Sequence, residues 1–200
     1  ISEGCATKIY SKDNNSIIGG TMTITCGDDI TKIFNDLGLK YSSSDNIHYT
    51  ISSKQLIELM EYIGFDITNK ANSKKIPKRL LSISKNNMIG LLQGIFDGDG
   101  TASKKRVAYT STSEVLIKQI RAILLNFGIL SYRFKVTKEK MNSYKENIDC
   151  KYKHFGNFNY DSHILEMTTN YAIKFQEEIG FRLERKKHNT KFNYSFSHLP

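Results

Sequence analysis

The sequence has no tryptophan, two prolines and three cysteines in 200 residues. Cys5, Cys26 and Cys150 are odd in number, far apart and form no CxxC pair, which excludes a disulfide framework and a cysteine-built zinc site. A reduced, intracellular protein is the expectation. The histidines (His48, His154, His163, His188 and His198) lack ligand spacing such as HExxH. There is no run of about 18 apolar residues, so no membrane helix is expected. The opening Ile1-Ser2-Glu3-Gly4 has neither the basic nor the apolar region of a signal peptide. It also has no initiating Met, so the chain reads as a fragment.

What is present is enough for a folded core. Hydrophobic residues make up 39% and aromatic residues 11%, against the composition of a disordered chain. Length allows one domain or two small ones. The net charge is +9, and it is unevenly spread: residues 1–63 sum to −3 and residues 64–200 to +12. Such an excess suggests a polyanionic partner, because Lys and Arg release the counterions condensed on phosphates. A solvated, lysine-rich surface explains the same composition.

Along the chain, residues 5–11 and 16–26 alternate as strands around a turn at 12–15. Asp28 reads as the cap of a helix with Ile30, Ile33, Phe34 and Leu37 at helical spacing, stopped by Gly38. Strands at 39–43 and 47–51 follow, then a helix capped by Ser53 and ended by Gly64. The polar stretch 65–86 reads as a linker in which Pro77 opens a short helix. The order then recurs. An apolar helix covers 87–96, and a hairpin covers 101–104 and 106–111. A helix capped by Ser113 ends at Gly128, and strands run over 130–136 and 162–168. A last helix ends at Gly180. Leu37-Gly38-Leu39 matches Phe127-Gly128-Ile129, and Tyr62-Ile63-Gly64-Phe65 matches Glu178-Ile179-Gly180-Phe181. The expected domains are therefore a repeat at 1–64, a linker at 65–86 and a second repeat at 87–200, with an insertion at about 138–160. The fold class is α+β.

The sharpest local feature is Leu92-Gln93-Gly94-Ile95-Phe96-Asp97-Gly98-Asp99-Gly100. Gly90 and Gly94 share a helix face and admit a close neighbour. Acids at the helix end oppose its dipole by roughly 0.3–1 kcal/mol each, a conflict that a bound metal would relieve. An EF-hand loop starting at Asp97 is excluded, because its sixth and twelfth positions would be Ala102 and Ala108. A plain turn after a core helix remains the simpler alternative.

This stretch resembles the LAGLIDADG motif of homing endonucleases, with Asp99 at the metal-binding acid. Ile1-Ser2-Glu3-Gly4-Cys5-Ala6 resembles the tail of a first copy, with Glu3 as its acid. Lys74-Lys75-Ile76-Pro77 is similar to the Lys-x-Ile-Pro element of intein-associated members. The stretch from Ile179-Gly180-Phe181 to Arg185-Lys186 resembles the element that closes the second half. The resemblance implies two pseudo-symmetric αββαββα repeats with antiparallel DNA-binding saddles. It also implies site-specific cleavage of double-stranded DNA by metal-dependent phosphodiester hydrolysis. Glu3 and Asp99, with the carbonyls of Ser2 and Gly98, would bind Mg²⁺, with Mn²⁺ able to substitute. Lys74 and Lys186 would lie near the phosphates, with Lys187 as the rival of Lys186.

For DNA contact the strands offer Lys8, Lys12, Lys40, Lys104, Lys105, Arg106, Arg133, Lys135 and Lys138, joined by Lys75 and, among uncharged residues, Tyr10, Thr21, Thr23, Tyr41 and Tyr109. The insertion interleaves Lys145, Lys151, Lys153 and His154 with Tyr144, Tyr152, Phe155, Phe158 and Tyr160. That pattern suits phosphate contact and stacking, or a surface hairpin with its own small core.

The sequence opens at the end of the first motif, so its helix is expected to be missing. A complete domain is expected to be monomeric. A truncated chain would have little activity and would self-associate through the 87–97 helix. His188-Asn189-Thr190 superficially matches an intein junction, but lysines precede it instead of an apolar strand. Two other readings stay open: a DNA-binding regulator or maturase that does not cut, and an RNA-binding protein.

Overall fold

The computed structural model describes residues 4–13, 17–25, 30–66, 71–103, 106–147 and 156–187. The first half contains β1 (Gly4–Tyr10), β2 (Ile17–Thr25), α1 (Ile30–Asp36), β3 (His48–Ser52) and α2 (Lys54–Ile63). The second contains α3 (Lys85–Asp99), β4 (Gly100–Ser103), β5 (Arg106–Ser111), α4 (Glu114–Asn126), β6 (Tyr132–Val136), α5 (Lys138–Asn147), β7 (Ser162–Thr168), α6 (Thr169–Glu178) and α7 (Glu184–Lys187). Two antiparallel sheets form, in the orders β1-β2-β3 and β4-β5-β7-β6.

The helix limits follow local chemistry. Ser53, Ser84 and Ser113 accept hydrogen bonds from the backbone N–H of Leu56, Asn87 and Leu116, capping α2, α3 and α4. Gly38, Gly64, Gly128 and Gly180 take left-handed φ values of 64° to 102° just past helix ends, where a Cβ would be strained. Gly100 is required for another reason: a Cβ there would sit 2.3 Å from the carbonyl oxygen of Phe96. Among the described residues no helix is long and apolar enough to cross a membrane.

The larger core lies between the second sheet and helices α3, α4 and α6. It holds Leu92, Ile95, Phe96, Val107, Tyr109, Leu116, Ile120, Leu165, Met167 and Phe175, all essentially inaccessible. The first half has a smaller cluster of Phe34, Tyr49 and Ile51, in which Phe34, Tyr41 and Tyr49 pack with ring centroids 5.3–6.0 Å apart.

Three sequence expectations are corrected. The strand at 39–43 shrinks to a single bridge, Ser42 with Thr50, closed by two backbone hydrogen bonds of 2.8 and 2.9 Å. The N–H of Leu39 is occupied in ending α1 on the carbonyl of Phe34, and Tyr41 is drawn into the aromatic cluster. In the expected linker, residues 71–86 are docked instead of free-running: Ile76 is 1% exposed within the second core, between a 3-10 helix at Ala71–Ser73 and the expected short helix after Pro77, Lys78–Ser82. The insertion opens as helix α5. Asn142 then holds Phe158 through both its amide N–H and its oxygen, at 3.2 and 2.8 Å.

Strand pairing assigns every side chain to a face, because directly opposed residues share one. Leu165 and Met167 of β7 face the core, so their partners Arg133, Tyr109 and Val107 lie on the helix side. The alternate set forms the outer face: Thr101 and Ser103 of β4, Arg106 and Thr110 of β5, Tyr132 and Phe134 of β6, and Ile164 and Glu166 of β7. In the first sheet, buried Tyr49 and Ile51 put Met22 and Ile24 on the helix side. Thr7, Thr21, Thr23, Thr50 and Ser52 are therefore outside.

Candidate active site at the end of helix α3

Helix α3 carries its apolar residues Met88, Leu92, Ile95 and Phe96 into the core, and this fixes where its last turn emerges. The two acids of that turn part company. Asp97 is 5% exposed, and its carboxylate accepts from the backbone N–H of Arg182 (3.2 Å) and of Leu183 (3.3 Å). Burial pushes its carboxyl above the ordinary carboxylate range, while those N–H groups and the charge of Lys186 pull it back. Asp99 is half-buried, and the hydroxyl of Tyr109 lies 3.5 Å from it, the long limit of a hydrogen bond.

Lys186 has a different place from the one its expected role requires. It is 6% exposed, and its ammonium donates to the carbonyls of Phe96 (2.9 Å), Asp97 (2.6 Å), Gly98 (2.8 Å) and Gly100 (2.7 Å). The cation thus neutralises the negative end of α3, while Asp97 receives the amides just before α7. This exchange resolves the clash between acids and dipole that the sequence presented. It commits the Lys186 charge to backbone instead of phosphate. The carbonyl of Gly98, an expected metal ligand, already accepts one of these bonds. Lys187 is ion-paired with Glu184 at 2.6 Å.

Lys74 and Asp99 line one site. Together with Ala71, Thr110, Ser111, Thr112 and Ser162 they line one open concavity of about 280 Å³. Helix α4 sets this arrangement. Ser113 donates to the carbonyl of Lys74 at 2.5 Å, and the Gln119 side chain grips Ile76 through both backbone groups, at 2.8 and 3.0 Å. Neither Ser113 nor Gln119 was named for the site from the sequence. The available signal was Gln119, a lone amide among Leu116, Ile117, Ile120 and Ile123 on the apolar face of α4.

The family model of the LAGLIDADG-like domain matches residues 86–180, the stretch that includes Asp99 and its helix. The chain carries a LAGLIDADG-like domain. Curated relatives of it include the DNA-directed RNA polymerase subunit Rpo1C of Methanocaldococcus jannaschii, 32% identical over 160 residues, which are 76% of this chain and 16% of that protein. Another is the glutamine–fructose-6-phosphate aminotransferase of the same organism, 31% identical over 94 residues, or 46% of this chain and 9% of that protein. The chain thus spans only a small part of these relatives. Among solved structures, a mesophilic variant of the homing endonuclease I-DmoI aligns with TM-score 0.57 at 15% identity, covering 90% of this chain and 89% of that one. I-DmoI G20S, solved with its target DNA and Mg, aligns with TM-score 0.57 at 16% identity, covering 89% of each chain. Other structures of I-DmoI hold DNA with Ca or Mn. The chain has the LAGLIDADG homing endonuclease fold.

The other expected site residues are scattered along the chain. Ser2, Glu3, Lys104, Lys105, Lys151, Lys153 and His154 lie outside the described residues, as does the side chain of Lys145. Arg106 is on the outer face of the sheet, ion-paired with Glu166 at 3.3 Å. Lys8, Arg133 and Lys135 are corrected to the helix side. Lys8 pairs with Glu61 of α2, which raises its pKa. Arg133 reaches Glu114 at 2.7 Å; with Lys118 also bonded to it, the Glu114 carboxyl is held at about 2. Lys135 meets Asp161 at 2.6 Å, which raises the lysine and lowers the acid. Of the tyrosines expected on the DNA side, Tyr109 is a core residue and Tyr41 is partly buried against the aromatic cluster of the first half. Lys12, Lys40, Lys75 and Lys138 are exposed, on turns or at element ends.

Proposed function

We infer that this chain is the endonuclease domain of an intein-type mobile element, which cleaves double-stranded DNA at a specific intracellular site. The observation that carries the reading is the shared concavity of Asp99 and Lys74 at the end of the LAGLIDADG helix. The intein setting is supported by the relatives. An RNA polymerase subunit and an aminotransferase, two unrelated proteins, share this segment, which is a small part of each, as an inserted element would be.

The donor set suits a hard divalent cation. Mg²⁺ is commonly held by one or two carboxylates together with substrate phosphate oxygens, so one well-placed acid suffices on the protein side. Asp99 would hold it, with the free lone pair of the Gly98 carbonyl nearby, Glu3 and Ser2 as the counterparts from the first motif, and Mn²⁺ as a substitute. When bound, such an ion supplies activation of water and stabilisation of the leaving oxygen. Lys74 binds the scissile phosphate and offsets its developing charge. Tyr109 restrains the Asp99 carboxylate. Lys186 acts at one remove, by holding the turn that presents Asp99. The interior threonines and serines of the concavity offer hydrogen bonds to phosphate oxygens.

The test begins with a target selected from randomised duplexes, followed by cleavage with Mg²⁺. In a protein that carries both motif copies in full, wild type should cut, and Asp99→Asn should lose at least about a hundredfold in rate, the scale of losing one charge-stabilising group. Equal cutting by both would contradict the assignment. A wild type that binds its target without cutting it would favour a regulator or maturase. A wild type that selects RNA and no duplex would favour the RNA-binding reading.

A further inference from the structure

The outer faces of the two sheets are poor in the side chains that read most base pairs. Arg and Lys read guanine, Asn and Gln read adenine, and Asp or Glu reads cytosine, each through paired or charged hydrogen bonds in the major groove. Among the described strand residues facing outward, the groups of this kind are Arg106, Glu166 and His48. Arg106 and Glu166 engage each other at 3.3 Å, and His48 is bound to Asp45 at 2.6 Å. What the faces present instead is methyl and ring surface: Thr21, Thr23 and Thr50 on the first sheet, and Thr101, Thr110 and Phe134 on the second. The hydroxyls of Thr23 and Thr50 lie 3.3 Å apart, so this pair is partly satisfied within the sheet.

Three observations mark these faces as the nucleic-acid side. Thr110 and Ser162 of the outer face also line the concavity of Asp99 and Lys74, so the faces continue from the site. The opposite side of each sheet carries the buried core residues and packs against helices, except at the exposed edge strand β6. Three of the basic strand residues, Lys8, Arg133 and Lys135, are committed to acids on that side.

We propose that the strands read thymine methyl groups, so that the target is rich in A·T pairs where the two sheets cover it. The proposal rests on the DNA-cleaving reading above and deepens it. The thymine C5-methyl is the one major-groove feature that Thr methyls and Phe rings distinguish by contact alone. The outward set then sets specificity by apolar burial, while the exposed lysines of the turns, such as Lys12, Lys40 and Lys75, contact phosphates without reading sequence.

The experiment uses the full chain in EDTA, so that no cutting intervenes, with a library of randomised duplexes. Enrichment of A·T pairs on both flanks of the cleavage centre is expected. Replacing those thymines with uracil should weaken binding about fourfold per methyl, the factor expected for one buried methyl. Thr23→Ser and Thr101→Ser keep the hydroxyls and should each abolish the thymine-over-uracil preference at one position. Enrichment of G·C pairs would overturn the proposal and leave the DNA reading intact. A·T enrichment with no uracil effect would overturn methyl readout. Failure to enrich any duplex would overturn the site-specific DNA reading itself, and this proposal with it.

Discussion

Asp97 and Asp99 are two residues apart and chemically alike, yet they do different work. The difference comes from solvent and partners. Asp97 is buried against amide groups before α7, while Asp99 opens into the concavity with Lys74. Lys186 and Lys74 divide in the same way. Four carbonyls surround the first, and the second lines the concavity that the acid also lines. This contrast predicts different failures. Lys186→Met strips charged hydrogen bonds from buried carbonyls and should cost on the order of 3 kcal/mol of stability. Lys74→Met should leave stability within about 0.5 kcal/mol and remove cleavage. Urea unfolding of both variants checks this. An Lys186→Met protein as stable as wild type would refute the capping role.

At the scale of elements, α4 does more than cover the sheet. Its first residue contact, Ser113, and its polar interruption, Gln119, grip Lys74 and Ile76 from one helix. The position of the site lysine is thereby tied to the packing of α4 against β5 and β7. Gln119→Met keeps side-chain volume and leaves the N–H and carbonyl of Ile76 without their partner, at roughly 1–3 kcal/mol. The expected result is cleavage reduced about 10–100-fold with target affinity in EDTA unchanged, as for loss of an outer-shell support. Unchanged cleavage would mean that the clamp does not position Lys74. Much of this level was legible in the sequence. Strand 162–168 and the helix ends at Gly64, Gly128 and Gly180 stand as expected, because alternation and left-handed glycine are local signals. The clamp was not legible, since it joins residues 43 apart in sequence. At 39–43 the β-prone composition does not produce a strand, because Tyr41 packs into the aromatic cluster instead.

For the whole molecule, the repeated order of strands and helices and the asymmetric charge were both visible in the sequence. The faces were not. A period of two says that residues alternate but not which set faces out, and the pairing register supplied that choice. It moved Lys8, Arg133 and Lys135 away from the outer face and left threonines there. Three of the basic groups that add to the net charge are therefore held in ion pairs: Lys8 with Glu61 of α2, Arg133 with Glu114 of α4, and Lys135 with Asp161 just before β7. The remaining argument for DNA rests on the site and the fold more than on net charge.

The proposed cleavage rests on Asp99 and Lys74 acting as one catalytic unit. A double-mutant cycle on target cleavage, with Asp99→Asn, Lys74→Met and the double variant, tests it most directly. Residues that act as a unit lose their effects together, so the double variant should cut no more slowly than the worse single variant. Losses that multiply, each substitution costing the same factor whether or not the other is present, would contradict the account.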